Sequence, residues 1–258
     1  NAPMIRQGAV TRDGRGEAEQ AEGGPGTHPT KRSARAPGLH RTARVWAGRP
    51  TEPMCLHMAQ TFVARSPIHA PADQVFAFHE RPGAFQRLSP PYEQVEVVRR
   101  EGSIRDGDRT VLRMKVGPLS QRWIAEHHGY EPGHQFVDVQ VKGPFAAWAH
   151  THRVEPAGAE RSTMIDEVEY ALPLGFLGRA FGGRMVERRL QRMFAYRHEV
   201  LAHDARLHAI AGARRLRVAI SGASGLIGTS LRALLETGGH EVLPLVRREA
   251  GEGEIRWD

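Results

Sequence analysis

Alternating hydrophobic and polar residues mark most of the middle of the chain, a pattern typical of strands with one buried face. The first such stretch, QTFVARSPIHA, begins at Gln60. The next segment, PADQVFAFHE, has Pro71 in its first turn and Val75, Phe76 and Phe78 at helical spacing, so it predicts a helix. Further strands, separated by turns such as RDGD and YEPGH, are predicted at residues 92–104, 109–116, 120–130, 135–141, 146–154 and 163–171.

A long amphipathic segment follows the strands. Residues 175–210 place Val186, Leu190 and Phe194 on one helical face, and the glycine pair at 182–183 is expected to break this helix near its start. A run of strands with helices segregated to one side is typical of an α+β fold. We therefore expect a curved antiparallel sheet that wraps the long helix and leaves a cavity between them.

The first residues of the chain have a different character. Residues 1–57 lack helical or strand periodicity and are rich in Gly, Pro, Ala and charge, so they are predicted to be a disordered or non-native leader, with the native sequence beginning at Met58. Nine Lys and Arg against five acidic residues place +4 of the net charge of +7 in this leader. No stripe of aromatic residues accompanies the charge, so we interpret it as compositional bias and expect no nucleic-acid partner.

Other global features narrow the class of protein. The single cysteine, Cys55, excludes an intramolecular disulfide framework and a cysteine-based metal cluster. No apolar run approaches the roughly 18 residues of a membrane span, and the first residues lack the apolar core of a secretory signal. A cytoplasmic setting is therefore expected, whereas no pattern indicates the oligomeric state.

Several strings resemble a known domain family. SPIHAPADQVFAF, the proline pair at 90–91, the strand series and the closing helix resemble START-like helix-grip domains, the SRPBCC superfamily of polyketide cyclases/dehydrases and lipid-transport proteins. RWIAEHHGY, GPFAAWAHTHRV, DEVEYALPLG and MFAYRHEVLAHD resemble the branch that is fused ahead of an epimerase-like domain. The resemblance assigns residues 58–209 to a START-like domain and implies a small apolar ligand. It implies no single reaction, since the superfamily shares a fold and not a chemistry.

Two neighbouring strands carry the polar residues most suited to chemistry. Alternation puts Trp148, His150 and His152 on one face, and Asp166 and Tyr170 on the inner face of the next strand. A buried carboxylate needs a partner. The set is therefore an acid–base pair, a His/His/carboxylate metal site, or a satisfied network at the core or the cavity mouth. No third ligand cluster has convincing spacing, so no metal is assigned.

Three further residues are predicted to belong to the ligand cavity. Trp123 and His127 share one face of an earlier strand, where Trp123 is either core or a platform for a ligand. Arg197 lies beside the apolar stripe of the long helix. There it either meets an anionic head group or forms a salt bridge to the sheet.

A glycine loop after the long helix predicts nucleotide binding. LRVAI is a short apolar strand, GASGLIG is the loop, LIGTSLRALLETG is a helix and HEVLPLVRR is a second strand. In this context the first glycine permits a tight turn, the second lets the backbone approach a pyrophosphate, and the third lets helix and strand pack closely. The phosphates would lie at the helix N-terminus. The predicted cofactor-binding residues of the loop are Gly222, Ala223, Ser224, Gly225, Leu226, Ile227 and Gly228.

The loop spacing G-x-x-G-x-x-G resembles the extended short-chain dehydrogenase/reductase family, especially its epimerase-like members. An acid at the end of the second strand would indicate NAD, but Arg247 and Arg248 stand there and suit a 2′-phosphate. NADP is therefore favoured, NAD stays possible, and simple solvation of both arginines is the alternative. The family's catalytic Tyr-x-x-x-Lys pair is absent from this sequence. Residues 210–258 are thus expected to be a truncated Rossmann βαβ unit that binds NADP weakly or not at all.

Two functions stay open at this point. In the first, the chain is a catalytically incomplete fragment of a two-domain, NAD(P)-dependent epimerase/dehydratase-like protein with an N-terminal START-like domain for a hydrophobic ligand. In the second, it is a module that binds or transports a small apolar ligand or lipid, with a vestigial or regulatory nucleotide-binding unit. An apolar cavity with few polar groups would favour binding. A polar cavity in which Asp166 is hydrogen-bonded to His150 or His152 would favour chemistry.

Overall fold

The computed structural model describes residues 59–116, 119–212 and 214–257. The predicted leader at residues 1–57, its cysteine and the expected start at Met58 lie outside these ranges. Within the part of the chain that is described, no helix combines the length and the apolarity needed to cross a membrane.

Seven antiparallel strands form the main sheet, as the alternation predicted. Their spatial order is β1-β7-β6-β5-β4-β3-β2, so the first strand pairs with the last and every other strand pairs with its neighbour in sequence. Register shifts in the β2–β3 and β4–β5 pairs bend the sheet. The strands are β1 (Gln60–Ile68), β2 (Val95–Glu101), β3 (Arg109–Val116), β4 (Leu119–Glu131), β5 (Gln135–Lys142), β6 (Ala147–Pro156) and β7 (Ser162–Ala171).

Three helices accompany this sheet. α1 (Ala72–Glu80) and α2 (Ala84–Leu88) lie between β1 and β2 in sequence, and α3 (Gly175–Ala211) follows β7. The expected break at the glycine pair is wrong, because α3 is continuous through both residues. A Cβ added at Gly182 would touch only the Leu172 side chain, at 3.6 Å. A glycine inside a helix costs about 1 kcal/mol relative to alanine, which is too little to end a helix that packs along most of its length.

The apolar stripe of α3 packs against the sheet. Leu190, Phe194 and Leu201 are each at most 4% exposed. Leu190 and Phe194 join a core cluster with Trp148 and Val168, whereas Leu201 belongs to a second cluster beneath α1. The result is the expected α+β arrangement, in which a large antiparallel sheet grips one long helix.

A smaller parallel sheet follows α3. It consists of β8 (Arg217–Ser221), β9 (Glu241–Val246) and β10 (Ile255–Arg256) in the order β10-β9-β8, with α4 (Leu226–Thr237) between β8 and β9. Both strand pairs are parallel. The strand–loop–helix–strand succession expected from the glycine loop is therefore present.

α4 packs closely against α2. A Cβ added at Gly83 would lie 2.8 Å from the Cα of Ala233, so only glycine permits this approach. Beside it, the Arg81 guanidinium donates a hydrogen bond to the carbonyl of Thr237. Nε2 of His208 on α3 lies 3.2 Å from Oγ1 of the same threonine. These contacts hold the end of α4 against the helical side of the larger sheet.

Candidate functional site

A cavity of about 610 Å³ lies between α3 and the main sheet. Much of its wall is aromatic or aliphatic, and its polar lining includes Asp138, His150 and Arg197, with Glu93 and Arg189 paired where α3 meets the loop before β2. The apolar lining includes Trp123, Phe145, Trp148, Leu172, Leu190 and Met193. Four of the residues predicted for the ligand cavity therefore line it, namely Trp123, Trp148, His150 and Arg197.

The other predicted cavity residues lie behind the wall. His127, His152 and Asp166 contact lining residues from the far side. Tyr170 is 2% exposed and packs its ring against Trp148 and Phe145, with ring centroids 6.3 and 5.9 Å away. Tyr170 thus supports the aromatic wall without lining the cavity.

Strand pairing builds the polar network at the cavity floor. His127 on β4 stands opposite Asp138 on β5, and Asp138 in turn stands opposite His150 on β6. Two residues further along β6, His152 stands opposite Asp166 on β7. A row of imidazoles and carboxylates therefore crosses four strands on one face, since opposed residues share a face of the sheet.

Asp166 is the buried centre of this network. It is 3% exposed, and its Oδ1 lies 2.7 Å from Nε2 of His150 and 2.8 Å from Nδ1 of His152. Its Oδ2 lies 2.6 Å from Nε2 of His198 on α3, whose Nδ1 is 2.8 Å from Oγ of Ser66. Burial would raise the pKa of the Asp166 carboxyl, but the positive charge of His152 and the hydrogen bonds from the imidazoles hold it well below its usual range.

Asp138 is the second carboxylate and faces the cavity. Its Oδ1 lies 2.9 Å from Nε2 of His127, and its Oδ2 lies 3.2 Å from Nε2 of His152. Burial would raise its pKa, but the charge and hydrogen bond of His127, followed by those of His152, hold it well below its usual range. The same contact with Asp138 raises the pKa of His127 against the effect of burial. Asp138 is therefore ionised at neutral pH.

The two histidines of β6 differ in protonation. Burial disfavours the charged form of both. In His152 the carboxylates of Asp166 and Asp138 outweigh burial and raise the pKa to about 9. In His150 burial and the charge of His152 prevail and lower the pKa to about 4. His152 is thus a cation at neutral pH, and His150 is neutral. Because Nε2 of His150 faces a carboxylate oxygen, its single proton belongs there, and Nδ1 is left as an acceptor at the cavity floor.

Arg197 adds a positive charge to the cavity wall. Its Nε donates to the carbonyl of Leu88 at 3.1 Å, and its guanidinium lies 5.4 Å from the centre of the Phe194 ring. Burial lowers its pKa. Among the described residues no carboxylate lies within ion-pair distance of Arg197. The salt bridge to the sheet, which was the alternative expected from the sequence, is therefore not formed within this part of the chain. Its remaining N–H groups are available to an oxygen of a ligand.

Two members of the network were missed from the sequence, Asp138 and His198. Asp138 lies in a strand that alternation did predict, but its pairing with His127 and His150 depends on strand register. His198 is one helical turn beyond Phe194 and three residues before Leu201, so it shares the buried face of α3. That spacing was the available signal for it.

The glycine loop has the backbone geometry that its sequence predicted. Gly222 has a φ of +67°, in the left-handed region that favours glycine. A Cβ added at Gly228 would lie 2.8 Å from the Cα of Ala223, so the start of α4 packs directly on the loop. Two of the predicted cofactor-binding residues, Leu226 and Ile227, are 88% and 81% exposed, respectively.

The two arginines after β9 are not equivalent. Arg248 forms a two-pronged ion pair with Glu254, with N–O distances of 2.7 and 2.6 Å. Arg247 is exposed. A 2′-phosphate at this position would therefore meet Arg247 directly and would compete with Glu254 for Arg248.

Comparison with known proteins supports the first part of the sequence resemblance. Residues 68–194 match the family model described as polyketide cyclase / dehydrase and lipid transport. The comparison with curated proteins finds no match. The middle of the chain is therefore similar to this family.

Solved structures with a similar fold include a nucleoside-diphosphate sugar epimerase from Corynebacterium glutamicum. It is 29% identical with a TM-score of 0.59, and the match covers 76% of this chain and 41% of that chain. An aromatase/cyclase from a Streptomyces species is 16% identical with a TM-score of 0.49, covering 60% of this chain and 99% of that one. Norcoclaurine synthase from Thalictrum flavum is 14% identical with a TM-score of 0.47, covering 58% and 96%. The chain thus spans less than half the length of the epimerase it matches.

Proposed function

We propose that the START-like domain binds a small, largely apolar ligand between α3 and the main sheet. The observation that carries this proposal is the cavity of about 610 Å³ with an aromatic and aliphatic wall and a few polar groups at one end. Cavities of roughly 300–1,000 Å³ with this composition are typical of sites for small molecules. The aromatic pair of Trp123 and Trp148, whose ring centroids lie 5.0 Å apart, offers a rigid surface to a ring system.

The polar end of the cavity favours a ligand with one oxygen-bearing head. Arg197 can donate to a carbonyl or an anionic oxygen, and Nδ1 of His150 can accept a proton from a hydroxyl. Asp138 is an additional acceptor beside them. A phenol, an enol or a carboxylic acid on an apolar body meets this set of donors and acceptors. The cavity therefore combines the apolar wall expected for binding with the Asp166–His150 hydrogen bond expected for acid–base chemistry.

Titration with the fluorescent probe 8-anilinonaphthalene-1-sulfonate tests the binding proposal. Ala125 lines the cavity, so Ala125→Phe places a ring inside it, whereas Val141→Phe adds the same ring at a position 41% exposed on β5. We expect Ala125→Phe to weaken binding of the probe by about tenfold or more, equivalent to about 1.4 kcal/mol. Val141→Phe should leave it unchanged. Equal binding by both variants, each folded by circular dichroism, would show that the probe binds elsewhere.

We propose, second, that the unit of β8, α4, β9 and β10 binds NADP(H) through the glycine loop, with Arg247 near the 2′-phosphate. The left-handed Gly222 and the close packing at Gly228 support this. The match to the Corynebacterium epimerase supports the proposal that the whole protein is an epimerase-like enzyme, and the glycine loop supports its NAD(P) dependence. The chain itself lacks the Tyr-x-x-x-Lys pair, so we do not assign that reaction to its residues.

Fluorescence titration with NADPH tests the second proposal. A dinucleotide site uses two βαβαβ halves, and the described residues form three parallel strands. We therefore expect a Kd on the order of 1 mM, weakened further in Arg247→Glu because charge repels the 2′-phosphate. Micromolar binding would contradict the expectation that this three-stranded unit holds the nucleotide weakly, and an absence of binding at several millimolar would contradict the nucleotide site.

A further inference from the structure

Three potential metal-ligand atoms converge at the cavity floor. One ligand atom each of Asp138, His150 and His152 lies within 4.8 Å of the other two. Nε2 of His152 is 3.2 Å from Oδ2 of Asp138, and Nδ1 of His150 is 4.0 Å from the same oxygen. Ligands at about 2.0–2.1 Å from a tetrahedral metal ion lie about 3.3 Å apart. Side-chain movements of less than about 1 Å would therefore close this set around an ion.

The groups behind these atoms hold them in place for coordination. A single carboxylate oxygen, Oδ1 of Asp166, lies 2.7 Å from the far nitrogen of His150 and 2.8 Å from the far nitrogen of His152. On the third ligand, Oδ1 of Asp138 is held 2.9 Å from Nε2 of His127. Metal-binding histidines usually donate their second N–H to a carboxylate, which orients the ring and increases its basicity. Both histidines have such a carboxylate partner here, and the Asp138 carboxylate is itself held by His127.

The position of the cluster leaves room for a further ligand. Asp138 and His150 line the cavity, so an ion between them would face the space proposed for the apolar ligand. The sequence analysis combined the two histidines with the carboxylate of Asp166. Strand register instead brings Asp138 opposite His150, so Asp138 is the carboxylate of this set.

We propose that Asp138, His150 and His152 bind one divalent transition-metal ion, with an open coordination position toward the cavity. Two imidazole nitrogens and one carboxylate oxygen suit Zn²⁺ and Fe²⁺, whereas Mg²⁺ and Ca²⁺ prefer oxygen ligands alone. Binding of the ion displaces the Nε2 proton of His152, so the dication takes over from protonated His152 the positive charge that faces the buried carboxylates of Asp138 and Asp166. This site rests on the geometry of the three ligands and does not depend on the identity of the cavity ligand.

Metal titration of the full chain, first stripped with a chelator and dialysed, tests the site. Isothermal titration with Zn²⁺ should give one ion per chain with a Kd of about 1 μM or tighter, and Co²⁺ should produce visible d–d absorption. Asp138→Asn preserves the shape of the side chain but removes the anionic ligand. We expect it to weaken Zn²⁺ binding by at least ~100-fold and to abolish the Co²⁺ bands.

His128→Gln is the matched control. His128 neighbours His127 on β4, but its Nε2 lies 3.0 Å from Oε1 of Glu126, away from the three ligands. It should bind both metals as the wild type does. Failure of the wild-type chain to bind Zn²⁺ would overturn the proposal without reference to any variant. Equal affinity in folded Asp138→Asn and wild type would also overturn it.

Discussion

Nε2 of His150 lies 2.7 Å from Oδ1 of Asp166, and each of these residues is only 3% exposed. The pKa of His150 is lowered to about 4 and that of Asp166 is held well below its usual range, so the pair is a neutral imidazole and a carboxylate at neutral pH. The contact is therefore a charge-assisted hydrogen bond that fixes the tautomer of His150. It turns an unprotonated nitrogen toward the cavity, which connects the buried network to the candidate site.

Removal of the Asp166 charge should destabilise the fold. Asp166→Asn leaves protonated His152 with one fewer carboxylate, and an amide cannot accept from all the imidazoles that contact it. We expect a loss of about 3–5 kcal/mol in the free energy of unfolding, measured with urea at pH 7. Glu167→Gln, the next residue on β7 and half-buried, is the control and should change stability by less than about 0.5 kcal/mol. Similar values for the two variants would contradict a central role for Asp166.

Part of the stability lost on acidification from pH 7 to pH 5 should come from His79. Burial and the charge of His152 lower its pKa from 6.5 to about 4 in the folded chain. Between pH 6.5 and pH 4 the unfolded chain therefore binds a proton that the folded chain does not. The free energy of unfolding is highest above pH 6.5 and decreases as the pH falls toward 4. His79→Gln should remove about 2 kcal/mol of the decrease between pH 7 and pH 5. Urea unfolding of the wild type and the variant at several pH values measures this difference. The same dependence of stability on pH in both proteins would refute the assignment.

The ion pair between α2 and α3 should matter far more than the exposed pairs on the sheet. Nε and Nη2 of Arg87 each lie 2.7 Å from an oxygen of Asp204, whose side chain is 2% exposed. Arg87→Met leaves that carboxylate buried and unpaired, at an expected cost of about 3–5 kcal/mol in thermal or urea unfolding. Arg113→Met breaks the exposed pair with Glu96 and should cost less than about 1 kcal/mol. If Arg87→Met is as mild as Arg113→Met, the pair does not hold α2 on α3.

Two glycine-to-alanine substitutions should have opposite effects. Gly182 lies inside α3 with space for a methyl group, so Gly182→Ala should raise stability by up to about 1 kcal/mol. Gly228→Ala brings a methyl group within 2.8 Å of the backbone of the loop and should increase hydrogen exchange in β8 and α4. Exchange of β5 and β6 serves as the internal reference. Unchanged protection of β8 and α4 would show that Gly228 is not required for this packing.

Local patterns predicted the elements better than they predicted the site. Alternation was sufficient to place Trp148 and His150 on the inner face of β6, because the side-chain period of a strand is a local property. The partners of His150 are set by strand register and by the packing of α3, which are not local. Asp138 and His198 were therefore missed although both lie in predicted elements.

The C-terminal unit shows the same division. Its strand, loop and helix follow from nearby residues, and the left-handed conformation of Gly222 agrees with the glycine pattern. The ion pair of Arg248 with Glu254 depends on how the turn after β9 folds back, and the sequence pattern gave no sign of it. Two arginines that look equivalent in sequence therefore offer different surroundings to a phosphate.

The most direct test of the central claim is a crystal structure of the chain soaked with 2-naphthol, which combines two aromatic rings with one hydroxyl. The account predicts the rings against Trp123 and Trp148, and the hydroxyl within hydrogen-bond distance of His150 or Arg197. The same soak of Ala125→Phe should leave the cavity without the ligand. Naphthol bound only outside the space between α3 and the sheet, or an unfilled cavity in wild-type crystals at saturating concentration, would contradict the claim.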